Sequence, residues 1–306
     1  MKWTLSMFDI RALKFFIAVA EERNFTRAAD RLFTTQPNVS HRLTSLEKSV
    51  GKQLIVRQGK HIDLTEEGQF LYSKAREIIN LHQRTLDALK KNAEDIAGDV
   101  RIGAAETNAM HLIGEAVVKF RKKYPGIRVN FFSGSTKEIE EMLDNGLIDS
   151  ALLVESFSLQ RYDFVRLPVC DHFGVLMPIS HKLSEKKSVT SSDLRHEPLM
   201  ISEQALQGNV LSAWFGCDIN SLNITSIFNL PTTPAMLVSS GLGLAFTFDK
   251  LINTQGTKIC FRPLEPPLEA NLYFVWKKNQ VFSKAVQLFL NHFREFLFDF
   301  SKVRNK

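Results

Sequence analysis

Cysteine is scarce: the 306 residues contain only Cys170, Cys217 and Cys260. Three widely separated cysteines, without metal-ligand or redox spacing, exclude a disulfide framework and point to reduced, buried thiols in a cytoplasmic protein. No run reaches the roughly eighteen apolar residues of a membrane span. The stretch from Ala12 to Ala20 has the look of a signal peptide, but Lys14 interrupts it and Arg11 and Glu21 to Arg23 bracket it closely. A phosphate loop and a dinucleotide fingerprint are both missing, since Gly241-x-Gly243 lacks the rest of such a motif, and the eight histidines are scattered. These absences argue against an enzyme, and neither a metal nor a cofactor is expected.

What is present begins with charge. Residues 1–93 hold 16 Lys and Arg against 10 Asp and Glu, whereas residues 94–306 hold 23 of each, so the formal net charge of +6 sits wholly in the N-terminal part. That is the distribution expected if only this part meets a polyanion.

Residues Phe25 to Leu46 read as two short amphipathic helices around a tight polar turn, a helix-turn-helix, which makes DNA the first partner to consider. Asn24 is placed to cap the first helix, which turns Ala28, Ala29 and Leu32 inward. Thr35 is placed to cap the second, and Pro37 is tolerated in its first turn because the N–H it lacks would have had no partner. Val39, Leu43 and Leu46 face the core, leaving Pro37, His41, Thr44, Ser45 and Lys48 on the opposite face, with Ser40 at its edge and Gln36 in the first turn. Upstream, Ile10, Leu13, Ile17 and Ala20 form the stripe of a further helix starting after Asp9. Downstream, Leu54–Arg57 and His61–Leu64 are strand-like runs joined by Gln58-Gly59-Lys60, a wing whose Arg57, Lys60 and His61 could reach phosphates or the minor groove.

In this region the chain resembles the LysR-type transcriptional regulators. The ordered matches are Phe25-Thr26-Arg27-Ala28-Ala29, Leu32, Gln36-Pro37, Val39-Ser40, Leu46-Glu47, Gly51, Leu54, Arg57, Leu64-Thr65 and Gly68. The resemblance implies base or phosphate contacts from Gln36, Pro37, Ser40, His41 and Arg42, and from Arg57 on the wing. With Thr35, Asn38 and Ser45 on the same helix, and Lys60 and His61 on the wing, these make up the expected DNA-binding set. His41 stands where the family usually has arginine and Arg42 where glutamine is common, so a bidentate guanine contact is not inherited. Ile55 replaces a usual phenylalanine.

Thr65, Glu66 and Glu67 open another helix, whose pattern runs to about Ala93 with Leu71, Ala75, Ile78, His82, Leu86 and Leu89 at spacings of three and four. A long stripe on a helix leaving a small domain is expected to meet a second copy, and the resemblance likewise implies a dimer or a tetramer of paired dimers. The alternative is a helix packed on its own chain.

After Gly98, strands alternate with helices: Val100–Ala104, His111–Tyr124, Ile127–Phe132, Thr136–Asn145 and Ser150–Val154. That order predicts a parallel α/β sheet with ligands beyond the carboxyl ends of its strands. The loops there, Ala105-Glu106-Thr107-Asn108 and Ser133-Gly134-Ser135-Thr136, put hydroxyls at helix starts, where an anion is favoured. Ordinary capping is the competing role for both threonines. The resemblance implies that Thr107 and Thr136 line an effector cleft, to which Asn108, Ser135, Ser202 and Thr247 are added as candidates. A second α/β unit follows, with strands at Gly174–Met177 and Leu199–Ile201, and a tight reversal through Gly241 and Gly243. Phe246-Thr247-Phe248 departs from the family's pattern there. Leu272–Trp276 and a helix from Ser283 to Phe298 return to complete the first lobe.

The expected fold is therefore α+β and multidomain: a winged helix-turn-helix (1–65), a linker and dimerisation helix with hinge (66–97), and a two-lobed, periplasmic-binding-protein-like α/β effector domain. Its lobe I comprises residues 98–165 and 264–306, and its lobe II residues 166–263. The expected partners are double-stranded operator DNA, a second copy of the chain and a small effector, with an anion favoured. A two-lobed solute-binding protein without regulatory role is the alternative, and the N-terminal helix-turn-helix argues against it.

Overall fold

Two side chains set the entry to the N-terminal unit. Asp9 accepts the Ala12 N–H at 2.6 Å and opens α1 (Ile10–Glu22), and Asn24 Oδ1 accepts the N–H groups of Thr26 and Arg27 at 2.8 and 3.1 Å and opens α2 (Phe25–Arg31). The computed structural model describes residues 8–58, 61–89, 97–154 and 160–304, with the side chains of 57, 58, 61, 84, 87–89, 303 and 304 outside that description. Phe33, with φ of 51°, makes the turn into α3 (Gln36–Val50). Thr35 holds the cap position of α3, yet its side chain makes no capping hydrogen bond. Gly51, left-handed at φ 69°, ends the helix with its N–H on the Glu47 carbonyl.

The wing is the antiparallel pair β1 (Ile55–Gln58) and β2 (His61–Leu64), in register from Ile55 opposite Leu64 to Gln58 opposite His61. Thr65 then starts α4 (Glu66–Leu89): its hydroxyl donates to the Gln53 carbonyl at 2.7 Å and accepts the Gly68 N–H at 2.9 Å. The remainder of the helix expected up to Ala93 lies outside the described residues. Leu13, Phe16, Val19, Ala28, Val39, Leu43, Leu46 and Leu54 form one buried core. Leu71 and Ala75 belong to it as well. These two members of the expected pairing stripe are thus turned onto their own domain, because the first turns of α4 pack on α1.

The second unit runs through β3 (Gly98–Ala104), α5 (Met110–Lys123), β4 (Ile127–Ser133), α6 (Thr136–Asp144), β5 (Ser150–Val154) and β6 (Tyr162–Pro178). It continues through α7 (Ser191–Leu194), β7 (Leu199–Ser202), α8 (Glu203–Gln207), α9 (Asn209–Phe215), β8 (Ile224–Phe228), α10 (Thr232–Ser239), β9 (Leu244–Phe248), β10 (Ile259–Pro263), β11 (Glu269–Lys277) and α11 (Lys284–Arg304). Contacts divide the chain into residues 1–92 with 144–147 and residues 93–143 with 148–306.

The sheet is mixed rather than parallel. In the order β4-β3-β5-β11-β6-β9-β7-β8, β3 pairs in parallel with β4 and β5, β7 pairs in parallel with β8 and β9, and β6 and β11 bring antiparallel joints between these sets. The long β6 was not foreseen beyond Gly174–Met177; it pairs with β11 up to His172 and with β9 from Phe173, so the expected lobe boundary at 165/166 falls inside one continuous strand. Alternation along the strands feeds opposite faces. Leu152 and Val154 join a core with α5 and α11, while Ala151 and Leu153 join one with α6. Val175 and Met177 likewise pack with α9, and Leu176 with α10.

Gly68 identifies a close backbone contact. A Cβ there would lie 1.9 Å from the Leu54 carbonyl oxygen, so α4 can seat on the wing only without a side chain at this position. Gly68→Ala should destabilise the N-terminal unit by about 3 kcal/mol. The measurement is urea unfolding followed by helical circular dichroism; a transition superimposable on that of the parent would show that this contact does not constrain the unit.

Candidate functional site

The first candidate surface is the outer face of α3. Thr35, Gln36, Pro37 and His41 are exposed, and Asn38, Ser40, Arg42 and Ser45 are partly buried. Asn38 is the most committed of these, because its amide donates to the Thr34 hydroxyl at 2.8 Å and so braces the turn. The backbones of Arg57 and His61 lie in the wing strands, their side chains lie outside the description, and Lys60 lies outside the described residues altogether. Arg23, Arg31 and Lys52 are engaged in ion pairs with Asp63, with Glu21 and Glu22, and with Glu67. Among the described residues no such pair involves Arg27, Arg42 or Lys48, so positive charge is left on α2 and α3. Phe33, 98% exposed in the turn, is a surface aromatic that periodicity gave no reason to single out.

Along α4, Ile78 and Leu86 are exposed and His82 partly buried, whereas the Leu89 side chain lies outside the description. Phe70 and Leu81, which the sequence stripe omitted, are more exposed than either, at 68% and 55%.

The second candidate is a cavity of about 370 Å³ in the α/β unit. Ser135, Thr136, Ser202 and Thr247 all line it, brought together from the start of α6, the end of β7 and β9. Thr136 donates to Gln204 Oε1 at 2.8 Å, joining α6 to α8 across 68 residues. Ser135 is occupied locally: its N–H and hydroxyl both bond the Glu138 carboxylate, at 2.7 and 2.8 Å, and those bonds hold that carboxyl below its usual range. Ser202 caps α8, accepting the Ala205 N–H. Thr247 is different. It is 7% exposed and its buried hydroxyl has no hydrogen-bond partner among the described groups.

Thr107 and Asn108 do not join this set. Thr107, 2% exposed, accepts the Ala109 N–H at 3.1 Å, and the Asn108 N–H donates to the Asp171 carboxylate at 3.2 Å, so the loop leaves Ala105 and Glu106 at the cavity and turns its next two residues toward β6. Burial, only partly opposed by that N–H, pushes the Asp171 carboxyl up to about 6. What the sequence did not nominate is the cavity's body: Phe173, Phe228, Phe246 and Phe248, with Glu106, Glu140, Glu203 and a lone lysine, Lys137, among the described lining. Burial raises the Glu106 carboxyl above its ordinary value. Phe246-Thr247-Phe248 had marked the departure, but only the fold shows that its aromatics meet Phe173 from another strand, 4.6 Å away at Phe248.

Comparison with known proteins places the N-terminal and C-terminal parts of the chain each in a family domain. Residues 10–69 match the model described as "Bacterial regulatory helix-turn-helix protein, lysR family", and residues 93–297 match "LysR substrate binding domain". The chain is 27% identical over 278 residues to the Hca operon transcriptional activator HcaR of Escherichia coli (strain K12), covering 89% of this chain and 93% of that protein. Its fold is similar to that of CbnR, a LysR family transcriptional regulator, with TM-score 0.72 at 20% identity, covering 95% and 99% of the two chains. Full-length CbnR complexed with its target DNA gives TM-score 0.69 at 21% identity, covering 94% and 100%.

The unpartnered hydroxyl of Thr247 carries an energetic consequence. Thr247→Val removes a buried polar group without changing shape, and should stabilise the ligand-free chain by about 1 kcal/mol. A thermal midpoint lowered by this substitution would show that the hydroxyl is satisfied after all.

Proposed function

Because the chain belongs to the LysR family of transcriptional regulators, with that family's DNA-binding and ligand-binding domains both matched, we propose a specific division of labour among its residues. Gln36, Pro37, Ser40 and His41 face the major groove from α3, with Thr35, Asn38, Arg42 and Ser45 supporting them at its margins. Arg57, Lys60 and His61 reach phosphates or the minor groove from the wing. The observation that carries this reading is the exposed, mostly uncharged hydrogen-bonding face of α3, in the part of the chain that holds all of the net positive charge. His41 offers a ring nitrogen where a guanidinium would give two parallel donors, so the preferred base is not the one an arginine would select.

Pairing of two copies is assigned to the exposed part of α4, through Ile78, His82, Leu86 and Leu89, extended by Phe70 and Leu81. Pairing gives the two reading heads a two-fold relation, and an inverted repeat in the DNA mirrors it. The protein regulates by binding and not by catalysis, and it works in the cytoplasm, where its operator lies.

The effector is assigned to the cavity at Ser135, Thr136, Ser202 and Thr247. Its volume, about 370 Å³, suits a small molecule. The lining modifies the anion suggested by the helix starts: Glu138 already takes the Ser135 donors, and three glutamates face a single lysine. An aromatic or apolar body among the four phenylalanines, with a polar group on the Thr247 hydroxyl, fits better. Occupancy acts by favouring one arrangement of α6 and α8, which the Thr136–Gln204 bond now joins, and so requires different ligand affinity in the two states.

Two experiments test this division. Gln36→Ala should cost about 1–3 kcal/mol of discrimination between operator and competitor DNA in a gel-shift competition; undiminished discrimination would move the reading register off the first turn of α3. In a thermal-shift screen of small aromatic acids, amides and amines, compounds that stabilise the parent should lose that stabilisation in Thr136→Val. Hits with equal shifts in both proteins would place the ligand elsewhere.

A further inference from the structure

Cys170 and His172 lie two residues apart on β6, so strand alternation sends both side chains to one face of the sheet. On the neighbouring strand β11, Glu269 is the cross-strand partner of His172. The His172 Nε2 to Glu269 Oε1 distance is 3.3 Å, and one ligand-capable atom from each of Cys170, His172 and Glu269 lies within 4.8 Å of the other two. Among the described residues this is where sulfur, nitrogen and carboxylate oxygen converge in this way. It lies outside the cavity, on the strands that carry the chain between the two parallel sets of the sheet.

We propose that Cys170, His172 and Glu269 bind a thiophilic divalent cation of the zinc class. Tetrahedral zinc takes sulfur and nitrogen ligands at about 2.0–2.3 Å, which sets neighbouring donor atoms about 3.5 Å apart. The His172–Glu269 pair already has that separation, and a side-chain adjustment on the order of 1 Å closes the set with Cys170. The donors select the metal. A thiolate with an imidazole and one carboxylate suits zinc, whereas magnesium and calcium take oxygen sets. Three protein ligands leave a fourth position, and the exposure of His172 and Glu269 opens it to water. Binding takes the thiol proton from Cys170 to solvent and uses the neutral His172 ring through Nε2, with its proton on Nδ1.

The frame is held by bonds that the cation does not need to make. The Asp249 N–H donates to the His172 carbonyl at 2.9 Å, and Asp171, between the two β6 ligands, is anchored on the other face by the Asn108 N–H. A cation here bolts β6 to β11 at the residue where β6 exchanges β11 for β9. The proposal is independent of what occupies the cavity.

Cobalt(II), added to the reduced full-length protein, is the probe. We expect one equivalent to bind with tetrahedral visible bands and a thiolate-to-cobalt charge-transfer band, both abolished by zinc. Cys170→Ser should remove the charge-transfer band while Cys217→Ser and Cys260→Ser keep it, and His172→Ala and Glu269→Gln should each weaken binding about tenfold or more. The last two positions are half-exposed, so folding tolerates them even if Cys170→Ser does not fold. Absence of the charge-transfer band in the parent, its persistence in Cys170→Ser, or unchanged affinity in both His172→Ala and Glu269→Gln would each overturn the site.

Discussion

One continuous strand, β6, holds the α/β unit together. Its first part is laddered to β11 and its last part to β9 and β10, so the two parallel sets of strands hang on a single backbone. Because its side chains alternate between separate cores, a slip by one residue would exchange every buried group for its opposite. Gly174 shows how closely the strands cross there. A Cβ at that position would lie 2.1 Å from the Phe261 ring and 2.5 Å from the Arg262 carbonyl oxygen. The cavity is built directly beside this point: Phe173 lines it from β6, and Thr247 is the β9 residue opposite Gly174.

In the N-terminal unit, a few polar side chains do what the long strand does elsewhere. Glu47 ends the reading helix with its carbonyl on Gly51 and Lys52, while its carboxylate accepts the Leu54 and Ile55 N–H groups at 2.8 and 3.3 Å. Thr65 binds the same segment at Gln53 and starts α4. Reading helix, wing and linker helix therefore share one set of backbone bonds over about twenty residues. Hydrogen bonds to a charged acceptor contribute about 1.5–3 kcal/mol each, enough to fix the angle at which the wing leaves α3. Glu47 and Thr65 thus determine how α3, the wing and α4 meet.

Local physics made this unit legible. The caps at Asp9 and Asn24, the inward Ala28, Val39, Leu43 and Leu46, and the wing pairing all follow from near-neighbour patterns, and they stand where periodicity puts them. Thr35 shows the limit: a capping residue at the capping position need not make the bond. In the α/β unit, strand and helix order was readable but pairing partners were not, since antiparallel joints at β6 and β11 depend on which distant segments return. Ser135 and Thr136 were singled out by the rule that ligands gather beyond parallel strand ends, and both line the cavity. Thr107 obeys the same rule and still misses the cavity, because its neighbour Asn108 is drawn to Asp171, 63 residues away. The four phenylalanines of the cavity come from three strands, β6, β8 and β9, and nothing local distinguishes them from core residues.

The period of two along β6 also separates two kinds of chemistry at adjacent residues. Asp171 and Phe173 share a face, one buried against the Asn108 N–H and the other lining the cavity. Cys170 and His172 share the opposite face, where Glu269 meets them. A molecule in the cavity and a cation on the other face would therefore act on the same stretch of backbone from its two sides, without touching each other. Each affects the other only by changing how firmly β6 is held to its partners. Such coupling is reciprocal: if the cation favours the arrangement that the cavity ligand favours, each tightens the other's binding by the same factor. The strand that makes one unit of two sets of strands is, for the same reason, the element through which both could be felt.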